Sequence, residues 1–515
     1  MNAILGIDIG TSGVKTLLIS EQGEVLAAAS EEYELLTPHP NWAEQDPETW
    51  WQATIKTVRR CLIEKPGLSV AAIGLTGQMH GSVFLDKQGA VLRPAILWCD
   101  QRTGHQCLEI TRIVGAETLI RLTGNRALTG FTAPKILWLR ENEPQIYNQV
   151  RMILLPKDYI RYRLTGVFAT EVSDASGTLL FNVAERDWSD EIIKALKIEK
   201  NLLPDCYESP QISGYLSREA ANLLDIKEGT PVAGGGGDQA AGAVGNGVVS
   251  AGLASCVLGT SGVVFWHSDE ALYDPVGRLH SFCHAVPGNW HLMAVTLAAG
   301  GSLRWFRDIL ANDILKEAEA IGKDPYELIT KEAECVAPGS EGLLFLPYLA
   351  GERTPYADPN ARGAFIGLSL RHNRRHLARA VLEGITMSIR DCFELGKECG
   401  LETGSVFISG GGARSRFWNQ MVADMVGREI ILPAADEGPA YGAAIIAGSG
   451  VGLLGPVDEA AASFRKISAR YKPNSELKSL YDELYTLYQQ LYGNLRNFYD
   501  ESAAFVSKNH TGVRS

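Results

Sequence analysis

Residues 5–20, LGIDIGTSGVKTLLIS, set a turn of small residues between two short apolar runs. The first run ends in glycine and reads as a buried strand. The second, followed by the turn EQG and then EVLAAASEEYE, reads as a hairpin continuing that strand. The same five residues, GTSGV, return at 259–263 within SCVLGTSGVVFWH, again between apolar runs. A tight turn of this kind presents consecutive backbone N–H groups, and its two hydroxyls add donors, which is the physics of a phosphate site. Asp8 stands at the end of the first strand, and a carboxylate beside such a turn makes sense where Mg²⁺ bridges the two. A single copy reads equally well as a plain hairpin turn. Two copies, each behind an apolar strand, imply two similar domains facing a shared cleft. One would hold metal and terminal phosphates, the other the rest of a nucleotide.

The chain has 515 residues, which at about 100–200 per domain suggests two or more domains. Hydrophobic residues at 45% and charged residues at 21% give an ordinary globular balance with material for two cores. Glycines gather in AGGGGD and SGGGAR, where backbone is expected to approach a ligand. The net charge of −12 and the lack of a Lys/Arg-rich run speak against nucleic acid as a partner. RHNRRH, the densest basic cluster, reads as a solvated face. Nine scattered cysteines with no CxxC pair indicate a reducing compartment. The start MNAILGIDIG lacks a charged region ahead of an apolar one, and no apolar run reaches about 18 residues. A soluble cytoplasmic protein is the expectation, with no membrane partner.

Farther along, DPETWWQATIKTVRRCLIE has helical spacing behind an Asp-Pro start signal. VAAIGLTGQ reads as a strand, SVFLDKQGAVL as a hairpin, and PKILWLRENEPQIYNQV and DYIRYRLTG as helices. Alternating strands and helices give an α/β class. The pattern restarts after residue 246. ASCVLGTSGVVFWHS is strand, turn, strand; RHLARAVLEGITMSIRDCFELGKECG is a long helix; SVFISGGGARSRFWNQMVADMVG is strand, glycine turn, helix. The expected domains are 1–246 and 247–450, followed by a helical tail, 451–515.

GxxxxGK[ST] is absent, and the glycines at 6, 10 and 13 do not match GxGxxG, which disfavours Walker-type and dinucleotide folds. VAGGGGDQAAGAVGNGVV leads through four glycines to Asp238 at the start of an alanine-rich helix. Phosphoryl transfer to an alcohol needs such a carboxylate to orient the hydroxyl and accept its proton. A plain N-cap is the other reading of Asp238, but a cap does not require four glycines. Gln78, Met79 and His80 in LTGQMHG, and Asp100 and Arg102 in ILWCDQR, are candidate polyol contacts. Gly411 and Gly412 would let the backbone pass close to a base or ribose, and Trp305 could pack near a purine or in the core.

These residues resemble the FGGY family of carbohydrate kinases, within the actin/hexokinase/heat-shock-70 superfamily, from Gly6 to about residue 450. Two stretches look like family signatures: GFTAPKILWLREN, residues 130–142, and GAFIGLSLRHNRRHLARAVLE, residues 363–383. Within the family, GQMHG, RPAILWCDQR, LLPKDYIRYRLTG and GGGGDQAAGAVGNG are most similar to the members that phosphorylate xylulose. The resemblance implies two ribonuclease-H-like α/β domains with ATP and sugar in the cleft between them, and Mg²⁺ with the ATP. It implies Asp238 as catalytic base and Asp8 as the acidic residue tied to metal and activity. Met79 and His80 fall in the sugar segment. Gly10, Thr11, Ser12 and Gly13, with Lys15 after them, match one phosphate segment. Gly259, Thr260 and Ser261 match the other, with Gly300 assigned alongside. Gly411, Gly412 and Ala413 match the adenosine segment. Gln239 departs from some xylulose-phosphorylating members, which carry Asn after the base, whereas glycerol-phosphorylating members carry Gln but have TNQRE in place of GQMHG. Ribulose, gluconate or glycerol therefore stay open as acceptors, and a non-catalytic actin-like nucleotide sensor is the reading from another class. The family often forms dimers, so a homodimer is a further expectation.

Overall fold

The computed structural model describes residues 2–434 and 438–510. The chain divides into two compact units, neither continuous in sequence. The first takes Met1–Ala251, His267–Leu292 and Asp436–Arg465, and the second takes Gly252–Trp266, Met293–Ala435 and Lys466–Ser515.

The opening stretch forms the centre of the first unit's sheet. Its strands lie in the order Ile212–Tyr215, Pro231–Ala233, Ser69–Gly77, Asn2–Ile9, Gly13–Ile19, Val25–Glu32. Asn2–Ile9 pairs antiparallel with Gly13–Ile19 through the GTSG turn and parallel with Ser69–Gly77. Parallel pairing requires a crossover, and the helix Pro47–Glu64 supplies it. That helix starts at the Asp-Pro signal: Asp46 accepts from the Glu48 N–H, and Pro47 occupies the first turn. It buries Trp50, Trp51, Val58 and Cys61 in the core that also holds Leu18 and Ala27 of the sheet.

The second unit repeats this local topology. Gly252–Leu258 pairs antiparallel with Gly262–Ser268 through the second GTSG turn and parallel with Thr403–Ser409. Thr403–Ser409 pairs parallel with Glu429–Pro433, after the helix Arg416–Val426. Each half therefore has one strand joined by GTSG to an antiparallel neighbour and flanked by a parallel one. The chain is a two-domain α/β protein with mixed sheets, as expected.

Three local expectations change. The helix Gly438–Gly450, expected with the second domain, packs in the first unit. The reason is glycine. A Cβ on Gly6 or Gly74 would overlap the carbonyl oxygens of Ala440 and Ala443, and one on Gly442 would overlap that of Ala241. Backbone can approach backbone this closely only where side chains are missing. The segment 451–515 carries its long helix, Lys478–His510, but also the strand Ile467–Tyr471, antiparallel to Glu429–Pro433. No residue of that strand is fully buried, so it leaves no alternation to read. SVFLDKQGAVL closes with the single bridge Leu85–Val91, and Val83–Leu85 pairs instead with Met152–Leu154. Among the described residues, no helix is long and apolar enough to cross a membrane.

Candidate functional site

In the first unit, strand register brings the expected carboxylates together. Asp8 lies opposite Lys15 across the hairpin and opposite Thr76 on its parallel neighbour. Thr76 lies in turn opposite Gly236, two residues before Asp238. Residues directly opposite share a face, so Lys15, Asp8 and Thr76 form one row that leads to the base candidate. The glycine loop makes the last step possible. Gly235 has φ +76, and a Cβ there would overlap the Leu75 carbonyl oxygen. A Cβ on Gly237 would come within 3.0 Å of Met79 Cγ. Asp238 opens the helix Asp238–Gly245, whose N-terminus favours a carboxylate.

Burial pushes the Asp238 carboxyl up to about 6, against hydrogen bonds from Gln239 that pull it down. Burial pushes Asp8 up to about 7; the Asp238 charge adds to this and Lys15 opposes it. Asp8 Oδ1 and Thr76 Oγ1 are buried without a hydrogen-bond partner. Oxygen donors of this sort, beside a carboxylate, suit a hard divalent cation and its water shell, so the residues present fit Mg²⁺.

The turn itself is braced from behind. The Gly10 N–H donates to the Gly13 carbonyl at 3.0 Å, and the Tyr33 hydroxyl donates to the Gly10 carbonyl at 2.5 Å. Gln45 Nε2 donates to the Thr11 carbonyl at 2.7 Å. The Trp98 indole donates to the Thr11 hydroxyl at 2.9 Å, and that hydroxyl donates to Gln78 Oε1 at 3.2 Å. Thr11 Oγ1 is thus committed to the scaffold, while Ser12 is exposed.

His80 sits at φ +68, an uncommon place for a non-glycine residue. Lys135 Nζ donates to its carbonyl at 2.8 Å and Thr132 at 3.1 Å, while His80 Nδ1 lies 2.8 Å from the Gly177 carbonyl. Lys135 also donates to the Gly130 carbonyl at 2.7 Å, is fully buried, and is pushed down by that burial to about 7. Sequence reasoning passed over Lys135, although a lysine inside the apolar stretch TAPKILWL was a visible signal. Met79 is buried beside Gly237 and Gly177.

Several expected contacts lie elsewhere. Gln78 is buried, with its amide spent on Gln45, Gly10 and Thr11, so it supports the turn and offers a sugar no exposed atom. Asp100 is buried, accepting from the Ala43 N–H and from Arg102. Arg102 is held by Asp100 and Glu44 and stacks 3.5 Å from the Trp42 ring centroid, leaving only Nη1 unpartnered. The pair closes the interior because each ion satisfies the other there.

The second unit has a pocket of about 890 Å³ lined by Gly259, Thr260, Gly300, Gly411, Gly412 and Phe417, among others. The amides of Gly300 and Gly301 donate to the carbonyls of Gly259 and Thr260 at 2.8 and 2.9 Å. Those bonds tie the second turn to the start of the helix Gly300–Leu310. A Cβ on Gly411 would meet open space, and Gly410 has φ +85. Ser261 and Ala413 are not among the lining residues, and Ala413 is buried. Trp305 stacks on Phe345, 6.2 Å between ring centroids, and does not line the pocket. It serves as core packing there because Phe345 and Phe365 present it with a flat apolar surface.

Paired carboxylates at a glycine loop, beside a phosphate-type turn, are the equipment of phosphoryl transfer to an alcohol. The chain belongs to the FGGY family of carbohydrate kinases, matching its N-terminal domain over residues 3–245 and its C-terminal domain over residues 254–451. It is thus a carbohydrate kinase, and the family implies ATP as donor. Among curated relatives, the xylulose kinase of Escherichia coli (strain K12) is 45% identical over 444 residues, 86% of this chain and 89% of that protein. The crystal structure of ligand-bound xylulose kinase from Lactobacillus acidophilus gives a TM-score of 0.91 at 27% identity, covering 97% of this chain and 100% of that one. Gluconate kinase from the same organism gives 0.90 at 26%, covering 97% and 99%. One backbone therefore serves kinases of different sugars, and side chains must make the choice.

Proposed function

We propose that this protein transfers the terminal phosphoryl group of ATP to D-xylulose, giving ADP and D-xylulose 5-phosphate. The observation that carries the chemistry is the strand row Lys15–Asp8–Thr76–Gly236, which delivers Asp238 beside the first GTSG turn. The sugar assignment is supported by the 45% identity to a xylulose kinase.

In this reading Asp238 accepts the proton of the sugar's terminal hydroxyl as that oxygen bonds to the γ-phosphorus and the bond to ADP breaks. A carboxyl near pH 6 is ionised at neutral pH yet more basic than a solvated one, which suits a general base. Gln239 donates to that carboxylate and orients it. Met79 and His80 face the sugar, with His80 held in place by Lys135 and Thr132. The amides of Thr11–Gly13, the Ser12 hydroxyl and Lys15 receive phosphate charge. Asp8 would hold Mg²⁺, which when bound neutralises charge on the donor's β- and γ-phosphates. Gly259, Thr260 and Gly300 bound the remaining phosphate region, and Gly411 and Gly412 the adenosine. Sugar, base and first phosphate segments belong to 1–246, the others to 247–450. That none of the nine cysteines is in a disulfide suits the reducing cytoplasm.

A sugar panel tests this reading. ADP release is measured with xylulose, ribulose, gluconate and glycerol, and xylulose is expected to have the highest kcat/KM. A higher value for another sugar overturns the substrate, and no sugar-dependent turnover at all would favour a nucleotide-binding sensor.

A further inference from the structure

Behind the glycine loop lies a cluster of charges that the chemistry does not use. Lys157, Asp158, Arg161, Glu171 and Asp174 are all fully buried. Lys157 Nζ lies 2.7 Å from Asp158, 3.1 Å from Asp174 and 3.5 Å from Glu171, and Arg161 Nη1 lies 2.8 Å from Asp158. Burial pushes the Asp174 carboxyl up to about 8, against the Lys157 charge that pulls it down. Desolvating such a cluster costs stability that apolar side chains would not. Its outward bonds give it a use.

Arg161 Nη1 donates to the Ala169 carbonyl at 2.8 Å, and the other outward bonds lead to residues 234–237. Arg161 Nη2 donates to the Gly234 carbonyl. Glu171 accepts from the hydroxyls of Ser173 at 2.8 Å and Ser209 at 2.9 Å. The Gly235 N–H donates to the Ser209 carbonyl at 2.9 Å. The Gly237 N–H donates to Ser173 Oγ at 3.0 Å. A serine hydroxyl has one proton, and Glu171 takes it, so Ser173 presents a lone pair to Gly237. Asp238 is the next residue. Four consecutive glycines have wide backbone freedom, and a carboxylate attached to them is fixed only as well as those peptide units are.

We propose that Ser173, oriented by Glu171, is a positioning residue for phosphoryl transfer: it holds the Gly237 amide and so sets where the Asp238 carboxylate stands. The proposal rests on Asp238 being the base. Ser173 is fully buried, and its proposed effect passes through the Gly237 amide to Asp238.

Ser173→Ala, Asp238→Asn and the double variant are compared with wild type on whichever sugar wild type turns over fastest. Displacing a reacting group by about 1 Å costs up to about 100-fold. Ser173→Ala is expected to lower kcat about 10- to 100-fold, with KM for sugar and for ATP unchanged within about twofold. Added to Asp238→Asn, it is expected to cost nothing further, because positioning an absent base has no effect. A Ser173→Ala kcat within about twofold of wild type overturns the proposal, as does a double variant that loses the full factor again. If Asp238→Asn itself keeps near-normal kcat, the base reading falls instead, so the two failures are told apart.

Discussion

Asp8 and Thr76 stand opposite one another on parallel neighbours, and each ends in a buried oxygen without a hydrogen-bond partner. Lys15 continues the row on one side, and the glycine loop carrying Asp238 on the other. Register alone thus brings together the two carboxyl groups and the lysine that the proposed phosphoryl transfer uses.

The pH dependence follows from the raised carboxyls. Asp238 near 6 and Asp8 near 7 both lie above the 3.8 of an exposed aspartate. The proposed mechanism uses both in the ionised form, so kcat/KM should fall as pH drops from 7 through 6. Stability of the ligand-free protein should run the other way. A raised folded pKa stabilises most below the unfolded value, and that contribution is lost as pH rises through 6 and 7. Asp8→Asn should flatten the stability slope near pH 7 while lowering turnover. Thermal melts and rate profiles from pH 5 to 8 check both signs, and parallel slopes would contradict the assignment.

Lys135→Met removes two hydrogen bonds that hold the His80 and Gly130 carbonyls. Unmade buried bonds cost about 1–3 kcal/mol, so Tm should fall. The His80 backbone should relax from its left-handed conformation, raising KM for xylulose about tenfold with KM for ATP unchanged. An equal rise in both KM values would point to general disruption instead.

The two GTSG turns should separate in kinetics. Thr11 bridges Trp98 and Gln78 beside the carboxylate row, so Thr11→Val should lower kcat. Thr260 lines the second unit's pocket, so Thr260→Ala should mainly raise KM for ATP. Equal kcat losses with unchanged KM for ATP would contradict that division.

Gly442→Ala places a methyl against the Ala241 carbonyl oxygen. Overpacking of this kind costs about 1–3 kcal/mol, and more when the obstacle is backbone. A urea midpoint equal to wild type would show that the helix Gly438–Gly450 has room to shift.

The sequence disclosed what depends on local spacing. The hairpin around Gly10–Gly13, the capped helix after Asp46 and the glycine loop before Asp238 each carry their own signal, and the structure has all three. It hid what depends on a distant partner. The small residues of Gly438–Gly450 say that something packs closely, but not that the something is Gly6 and Gly74. Gln78 and Asp100 look like ligand contacts because they are polar at strand ends. Only the fold reveals that Thr11 and Gln45, and Arg102 and Ala43, have already taken their hydrogen bonds. Lys135 escaped because a buried lysine bonded to carbonyls leaves no carboxylate at helical spacing to betray it.

The most direct test of the central claim is turnover by Asp238→Asn, measured together with xylulose binding by calorimetry. General base catalysis contributes about 10²–10⁴-fold. The account predicts a kcat loss of that order with xylulose affinity unchanged within about threefold, because Asn keeps the shape and loses only the proton acceptor. A near-normal kcat in this variant would contradict it.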